Sequence, residues 1–193
     1  MRFVKEADAR AAARRALAKR HYAESADRIF KSQTDPLIRR YDIFLSHSIH
    51  DAELVLGAKQ LLEEKGKTVY VDWIDDPLLH RSRVCAETAR VLRLRMQHCA
   101  SLVYTHSTNS GQSKWMPWEL GYFDGHNGNV AIFPILKDWE NTFVGQEYLG
   151  IYPCIEIDNP GREEAGGVWL YKSQREFMAL SRWQSGDRTW MSS

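Results

Sequence analysis

The spacing of hydrophobic and polar residues from residue 40 onward predicts alternating strands and helices. Short apolar runs, typical of buried strands, occur at 41–46, 68–73, 99–104, 130–136 and 152–157. Helices are predicted at 51–65, 84–97 and near 115–123, and a closing helix at 171–183. Because short apolar strands joined by crossover helices pair in parallel, we predict an α/β fold with a doubly wound parallel sheet of five strands.

The first 40 residues differ from the rest in composition. Residues 4–31 are rich in Ala and Arg and contain no Gly or Pro, which predicts an added N-terminal helix. Residues 1–40 hold 11 basic and 5 acidic residues, whereas the remainder holds 15 and 20. Since large apolar residues are sparse, we expect this helix on the surface or against a partner. We predict a helical arm and linker at 1–39, with Pro36 in the linker, and a domain at 40–193.

Composition indicates a folded protein of the cytoplasm. Hydrophobic residues make up 44% and charged residues 26%, so a packed core is expected. Cys85, Cys99 and Cys154 form no CxxC pair, which favours reduced, buried thiols in a cytoplasmic protein. No apolar run reaches the roughly 18 residues of a membrane span, and no secretory signal is predicted.

Polar residues follow the predicted strands and mark one rim of the sheet. Ser46 ends the first strand, Trp73 ends the second, and residues 105–107 follow the third. Trp115 and Glu119 lie in the next loop and helix start, which join the same rim. An open α/β sheet binds ligands at the carboxyl ends of its strands, so we expect a cleft here.

Two of these segments carry a resemblance to a known family. Residues 41–48 with Asp51 resemble the first conserved box of TIR domains, and residues 113–120 resemble the second, including its Trp-x-x-x-Glu spacing. The acidic loop at 74–82 lies where these domains have their BB loop. The resemblance covers residues 40–160 and implies a flavodoxin-like sheet. Bacterial TIR proteins of the Thoeris antiphage type are similar in size and motif.

The resemblance implies an enzyme that cleaves NAD⁺ between nicotinamide and ribose, with Glu119 as the catalytic residue. Phe44, Ser46, Trp73 and Trp115 would bind the dinucleotide, which is the substrate, so no cofactor is expected. One carboxylate suffices because nicotinamide leaves as a neutral molecule. The carboxylate would stabilise the oxocarbenium charge that develops on the sugar. Water as acceptor gives ADP-ribose, and an acceptor within the same molecule gives a cyclic isomer.

The same resemblance implies partner proteins and a biological role. Other TIR copies would assemble with this chain on activation, and a downstream effector would sense the product as an antiphage signal. The alternative function is a non-catalytic adaptor module that acts by homotypic assembly. A phosphoacceptor receiver domain is set aside, because acidic residues are missing after the first and third strands. Nucleic acid is not expected at the basic arm, where acids are interspersed and aromatic residues are few.

Several of these residues also have a simpler, structural explanation that competes with a role in binding or catalysis. Glu119 would be stabilised by the helix dipole if it lay in a first turn, and Ser46 could cap the following helix. Pro117 lacks an amide hydrogen, so the helix is predicted to begin there, which would rotate Trp115 away from Glu119. No metal site is predicted, because the spacing of His47, His50 and Asp51 matches no standard set of ligands. The acids Asp72, Asp75 and Asp76 are expected as solvated loop charges.

Overall fold

A computed structural model describes residues 2–30, 39–76, 79, 85–157 and 167–192, with the backbone alone for 20–30. The helices are α1 (Glu6–Phe30), α2 (Ala52–Glu63), α3 (Asp72–Asp75), α4 (Ala86–Gln97), α5 (Trp115–His126) and α6 (Leu180–Gln184). The strands are β1 (Val4–Lys5), β2 (Tyr41–Ser46), β3 (Val69–Tyr70), β4 (Cys99–His106), β5 (Val130–Leu136), β6 (Cys154–Ile157), β7 (Val168–Tyr171), β8 (Glu176–Ala179) and β9 (Met191–Ser192).

Five parallel strands form the centre of the sheet in the order β3-β2-β4-β5-β6. Counted from β2, this is the 2-1-3-4-5 order of flavodoxin-like folds. The predicted α/β fold with a five-stranded parallel sheet is therefore confirmed. The register pairs Ser46 of β2 with Tyr104 of β4, and His106 of β4 with Pro134 of β5. These residues consequently lie along the carboxyl edge of the sheet.

The predicted closing helix at 171–183 is wrong over most of its length. β7, β8 and β9 instead extend the sheet beyond β6 as antiparallel strands, and only Leu180–Gln184 is helical. Phe177 and Ala179 pack with Tyr171 in a small cluster, whereas the intervening Met178 packs in the main core. This alternation is the period of a strand, and aromatic residues favour strands. The second predicted strand is also shorter, because Asp72–Asp75 forms a helical turn that contains Trp73.

The N-terminal segment packs directly against the sheet and its helices. β1 pairs in parallel with β5, and α1 lies on α2 through buried alanines: Ala9, Ala12, Ala13 and Ala16. The contact is very close, since a Cβ atom added at Gly57 of α2 would lie 1.9 Å from the carbonyl oxygen of Ala9. Small residues permit this approach, which explains why large apolar residues are sparse in α1. The division at residue 39 stays a prediction, and Pro36 lies outside the described residues.

Two further expectations concern membrane-spanning helices and the burial of the cysteines. None of the described helices combines the length and apolar character needed to cross a bilayer. All three cysteines are free thiols. Cys99 is buried and Cys154 half-buried, but Cys85 is exposed, so the expectation of buried thiols is wrong for Cys85.

Candidate functional site

Helix α5 brings Glu119 against the end of strand β2. The helix begins at Trp115, two residues before the predicted start at Pro117. Proline is tolerated there because amide hydrogens in a first turn have no partner within the helix. Trp115 and Glu119 are therefore separated by one helical turn and lie on the same side of α5. The rotation of Trp115 expected from Pro117 does not occur.

A buried hydrogen bond joins Ser46 to Glu119. The Ser46 hydroxyl donates to Oε2 of Glu119 at 2.6 Å, and both side chains are 0% exposed. A hydroxyl-to-carboxylate bond of this length is typical of a charge-assisted hydrogen bond. The bond satisfies one acceptor position of the carboxylate in a place that water does not reach.

This arrangement removes the simpler explanations for both residues. Glu119 lies in the second turn of α5, whose first turn contains no acidic residue. The dipole effect falls off within the first turn, so the first-turn interpretation of Glu119 is wrong. The turn that follows β2 is capped by Ser48, whose hydroxyl accepts from the amide of His50 at 3.3 Å. Ser46 is therefore not the cap, and its hydroxyl is directed at Glu119 instead.

Trp115 begins a row of aromatic rings along α5. Its half-buried ring meets Trp118 edge to face, with centroids 5.3 Å apart. Trp118 then stacks on Tyr122 at 5.9 Å, which agrees with the packing role expected for Trp118. Such contacts stabilise ring positions by about 0.5–1.5 kcal/mol per pair. The row holds Trp115 one turn from the buried carboxylate.

Phe44 and Trp73 occupy different environments. Phe44 is 1% exposed, and its ring stacks on Tyr70 with centroids 5.2 Å apart, within the core beneath α4 and α5. Trp73 is 38% exposed on the short helix α3, after the edge strand of the parallel sheet. Phe44 thus supports the strand that carries Ser46, while Trp73 offers an accessible indole. Their roles as dinucleotide contacts stay predictions.

The acids after β3 are structural rather than solvated. Asp72 is 2% exposed, and its Oδ1 lies 3.3 Å from Nε2 of His47. His47 in turn lies 2.7 Å from the Leu45 carbonyl through Nδ1, which must carry the hydrogen because a carbonyl only accepts. Asp75 accepts from the Tyr41 hydroxyl at 3.2 Å. The expectation of solvated loop charges is therefore wrong.

Asp76 is held by a buried arginine from α4. Arg95, whose side chain is 1% exposed, donates to Asp76 through Nε at 2.7 Å and Nη2 at 2.5 Å. Its guanidinium also lies over the ring of Tyr70, 5.4 Å from the centroid. The Tyr70 hydroxyl donates to Asp76 at 2.7 Å. These contacts fix the start of the acidic loop at 74–82, of which residues 77, 78 and 80–82 lie outside the described part of the chain.

A second polar cluster joins the loops that follow β2 and β4. Asp51 is 5% exposed and accepts from the Ser107 hydroxyl and from Nδ2 of Asn109, the latter at 2.7 Å. The carboxylate thereby ties the loop after β4 to the turn after Ser46. Among the described residues, no group of three or more His, Cys, Asp or Glu is arranged to hold a metal ion.

Tyr104 is buried behind the wall of an open cavity. Burial raises the pKa of the Tyr104 hydroxyl, and the neighbouring Tyr148 and Glu119 raise it further. This hydroxyl lies 3.4 Å from Oε1 of Gln146, which lines a cavity of about 420 Å³ at the carboxyl ends of β4 and β5. Tyr104 and Gln146 were not predicted as site residues from the sequence. Residues 105–107 were predicted at this rim from their position after a strand, but Gln146 lies in an irregular loop, for which position after a strand gives no signal.

The carboxyl edge of the sheet thus carries a buried carboxylate and a half-buried indole, and the loops after β4 and β5 enclose a cavity. Open α/β sheets bind ligands at this edge. No protein-family model matches the sequence. The chain is 50% identical over 147 residues to "Probable 3' cyclic ADP-D-ribose synthase ThsB'" of Bacillus cereus (strain MSX-D12), covering 74% of this chain and 75% of that protein. It is 31% identical over 83 residues to "Putative cyclic ADP-D-ribose synthase TIR2" of Cytobacillus dafuensis, covering 42% of this chain and 22% of that protein. The two sequence boxes, the strand order and the similarity to the first relative show that the chain belongs to the TIR domain family, in its bacterial Thoeris type.

Proposed function

We propose that this chain cleaves NAD⁺ at the bond between nicotinamide and ribose and releases a cyclic ADP-ribose isomer, with ADP-ribose as the product when water intervenes. Both relatives carry the name of a cyclic ADP-D-ribose synthase, which supports the use of NAD⁺ and favours the cyclic product. The observation that carries the proposal is the buried hydrogen bond between Ser46 and Glu119 at the carboxyl edge of the sheet.

Glu119 is the proposed catalytic residue. Nicotinamide departs with the electron pair of its bond to the ribose, and the sugar carbon acquires oxocarbenium character. A carboxylate within reach stabilises this positive charge and accepts hydrogen bonds from the ribose hydroxyls. The effect is large at a site from which water is excluded, because the local dielectric constant is low. Full burial of Glu119 supports this role.

The remaining site residues have supporting roles in the proposal. Ser46 orients the carboxylate through its hydrogen bond to Oε2. Trp115, one turn before Glu119 and half-buried, would stack on the nicotinamide or the ribose. Trp73 would contact the dinucleotide from the short helix α3 through its exposed indole. Phe44 would support the dinucleotide site from within the core, since its ring is buried there.

The proposal extends to the biological setting. NAD⁺ is the substrate and no separate cofactor is required. The product would act as an antiphage signal that a downstream effector senses in the cytoplasm. Copies of the chain would assemble on activation.

The direct test compares nicotinamide release from NAD⁺ by the wild-type protein and Glu119→Gln, at high protein concentration so that assembly is not limiting. Loss of the carboxylate charge should reduce the rate by about 100-fold or more, as expected for a principal electrostatic contact. Glu87→Gln is the matched control, because Glu87 is exposed on α4 and pairs only with the exposed Arg90 within the described contacts. It should keep the wild-type rate.

Mass spectrometry of the product separates the two chemical outcomes, since the cyclic isomer lacks one water relative to ADP-ribose. Equal rates for wild type and Glu119→Gln would refute the catalytic assignment. Absence of nicotinamide release from concentrated wild-type protein would favour the non-catalytic adaptor function.

A further inference from the structure

The imidazole of His47 is buried beside the proposed site and has no role in the proposed chemical step. It follows Ser46 directly at the end of β2, and its side chain is 1% exposed. Burying a polar ring costs free energy unless its nitrogen atoms find partners. The partners of this ring therefore indicate what it does.

The ring bridges two segments of the carboxyl edge. Nδ1 donates to the Leu45 carbonyl at 2.7 Å, within β2. Nε2 lies 3.3 Å from Oδ1 of Asp72, the first residue of α3. Both partners are oxygen acceptors, which a ring with hydrogen on both nitrogens satisfies. His47 thus ties the end of β2 to the start of α3.

The register of the sheet explains why these two segments meet. β2 and β3 are parallel neighbours, and the register pairs Phe44 with Tyr70. Continued past Tyr70, this register brings Asp72 level with Ser46. Because the chain turns into α3 at that point, the carboxylate that begins the helix lies beside the end of β2.

Asp72 extends the connection to Trp73. Its Oδ1, the oxygen that faces His47, also accepts from the Trp73 amide at 2.8 Å. Asp72 is 2% exposed, whereas Trp73 is 38% exposed. A buried carboxylate oxygen therefore fixes the backbone of a residue whose indole reaches solvent.

These contacts form a continuous path across the end of β2. The path begins at Glu119, which accepts from the Ser46 hydroxyl at 2.6 Å, and continues along the backbone to His47. From His47 it crosses to Asp72 and reaches Trp73. One set of buried side chains thus holds the proposed catalytic carboxylate and the exposed indole relative to each other.

Stability alone does not account for the pair of His47 and Asp72. Removing two charged groups from water costs about as much free energy as their attraction returns, so packed apolar residues would stabilise the fold equally well. An apolar contact tolerates sliding, whereas a polar contact requires particular atoms to face each other. The pair therefore defines the place of α3 beside β2.

We propose that His47 and Asp72 are positioning residues that hold the Trp73 indole in place for NAD⁺. The inference rests on the proposed NAD⁺ cleavage and on the contact proposed for Trp73. Because β3 and β4 flank β2, α3 and α5 approach its end from opposite sides, and the indole binds away from Glu119. A contact made equally before and during bond cleavage affects KM and leaves kcat unchanged.

The first test follows the indole itself and does not depend on catalysis. In protein labelled with fluorotryptophan, the fluorine NMR signal of Trp73 is identified by its loss in Trp73→Phe. His47→Gln and Asp72→Asn should each shift or broaden this signal, because either change removes one partner of the pair. The signal of Trp183, which is buried in the core, should stay unchanged. His50→Gln is the matched control, because His50 is exposed in the turn after β2.

The second test is the kinetics of nicotinamide release from NAD⁺. His47→Gln and Asp72→Asn should each raise KM by about tenfold and leave kcat within about twofold of the wild type. Asp75→Asn is the matched control on the same helix, because Asp75 accepts from the Val71 amide and the Tyr41 hydroxyl instead of facing His47. It should keep the wild-type KM.

Combined variants show whether the effect passes through Trp73. Trp73→Ala should raise KM by a similar factor. Adding His47→Gln to Trp73→Ala should raise KM no further, because changes that act through one shared contact are not additive. A further rise in the combined variant would contradict the positioning role.

The outcomes separate this inference from the proposed function. An unchanged Trp73 signal in both variants would overturn the inference, and so would a loss of kcat at constant KM. An equal rise of KM in Asp75→Asn would overturn it too, since the effect would then belong to α3 as a whole. Nicotinamide release by the wild type would still support NAD⁺ cleavage in these cases. If the wild type releases none, the proposed function fails, and the fluorine signal alone decides whether His47 and Asp72 hold Trp73.

Discussion

The hydroxyl of Ser46 donates a 2.6 Å hydrogen bond to the carboxylate of Glu119, 73 residues later in the chain. Ser46 ends the strand β2 and Glu119 lies in the second turn of α5. The bond therefore links the two sequence segments that resemble the boxes of TIR domains. Because both side chains are fully buried, neither can be solvated in place of this contact.

Replacing Ser46 by alanine should lower activity without unfolding the protein. A hydrogen bond to a charged group contributes about 1.5–3 kcal/mol. If the bond orients the carboxylate during the reaction, kcat/KM for NAD⁺ should fall by about 10- to 100-fold. Ser101→Ala is the control, because Ser101 is equally buried and donates to the Asp42 carbonyl at 2.9 Å. Nicotinamide release measures the effect, and equal loss in both variants would contradict an orienting role for Ser46.

Gly57→Ala should destabilise the protein by displacing α1 from α2. A Cβ atom at this position would lie 1.9 Å from a backbone oxygen of α1, which cannot rotate away as a side chain can. Overpacking of this kind costs about 1–3 kcal/mol. Gly125→Ala in α5 is the control, because its added Cβ meets no atom within 4 Å. It should stabilise the helix by up to about 1 kcal/mol.

Urea unfolding of both glycine variants gives these free energies. Unchanged stability of Gly57→Ala would show that α1 is a separable arm and not part of the packed body.

The ion pair between Arg15 and Glu64 should make the attachment of α1 depend on pH. The Arg15 guanidinium donates hydrogen bonds to Glu64 and lowers the pKa of that carboxyl to about 2. A lowered pKa stabilises the fold above the ordinary pKa of glutamate, and this contribution is lost as pH falls toward 2. Because the Glu64 side chain is 29% exposed, solvent screening limits the contribution to about 1 kcal/mol.

We expect Glu64→Gln to be less stable than wild type at pH 7 and the difference to shrink by pH 3. Unfolding in urea at the two pH values measures both free energies. A difference that grew toward low pH would contradict the assigned direction.

Arg95→Met should destabilise the start of the acidic loop. The substitution leaves the carboxylate of Asp76 and the ring of Tyr70 without the buried guanidinium. Removing one partner of a buried pair costs about 3–5 kcal/mol. The side chain of Asp76 is 17% exposed, so we expect the lower part of this range.

Arg90→Met is the matched control on the same helix, because the Arg90–Glu87 pair is exposed. Its cost should stay below about 1 kcal/mol. Similar melting temperatures for the two variants would show that Arg95 does not hold the loop.

The central sheet was predictable from the sequence because its strands are short apolar runs separated by helical segments. Burial on both faces requires such runs, so strand number and parallel pairing follow from local pattern. The segment at 171–183 was mispredicted because its short apolar run at 177–180 cannot be assigned to a strand or a helix by periodicity alone. The pairing of β7 with β6 selects strands over a helix in this part of the chain. A local sequence pattern gives no information about such a pairing.

The sequence by itself determined the α/β class, the parallel core and the candidates Ser46, Trp115 and Glu119, because these depend on local periodicity and on motif spacing. Only the tertiary structure decided that Ser46 bonds Glu119, that Phe44 lies in the core and that Asp76 is paired with Arg95. The physical reason is that burial and hydrogen-bond partners depend on which segments meet in space. Residues 73 positions apart are joined only after the strands have taken their places in the sheet.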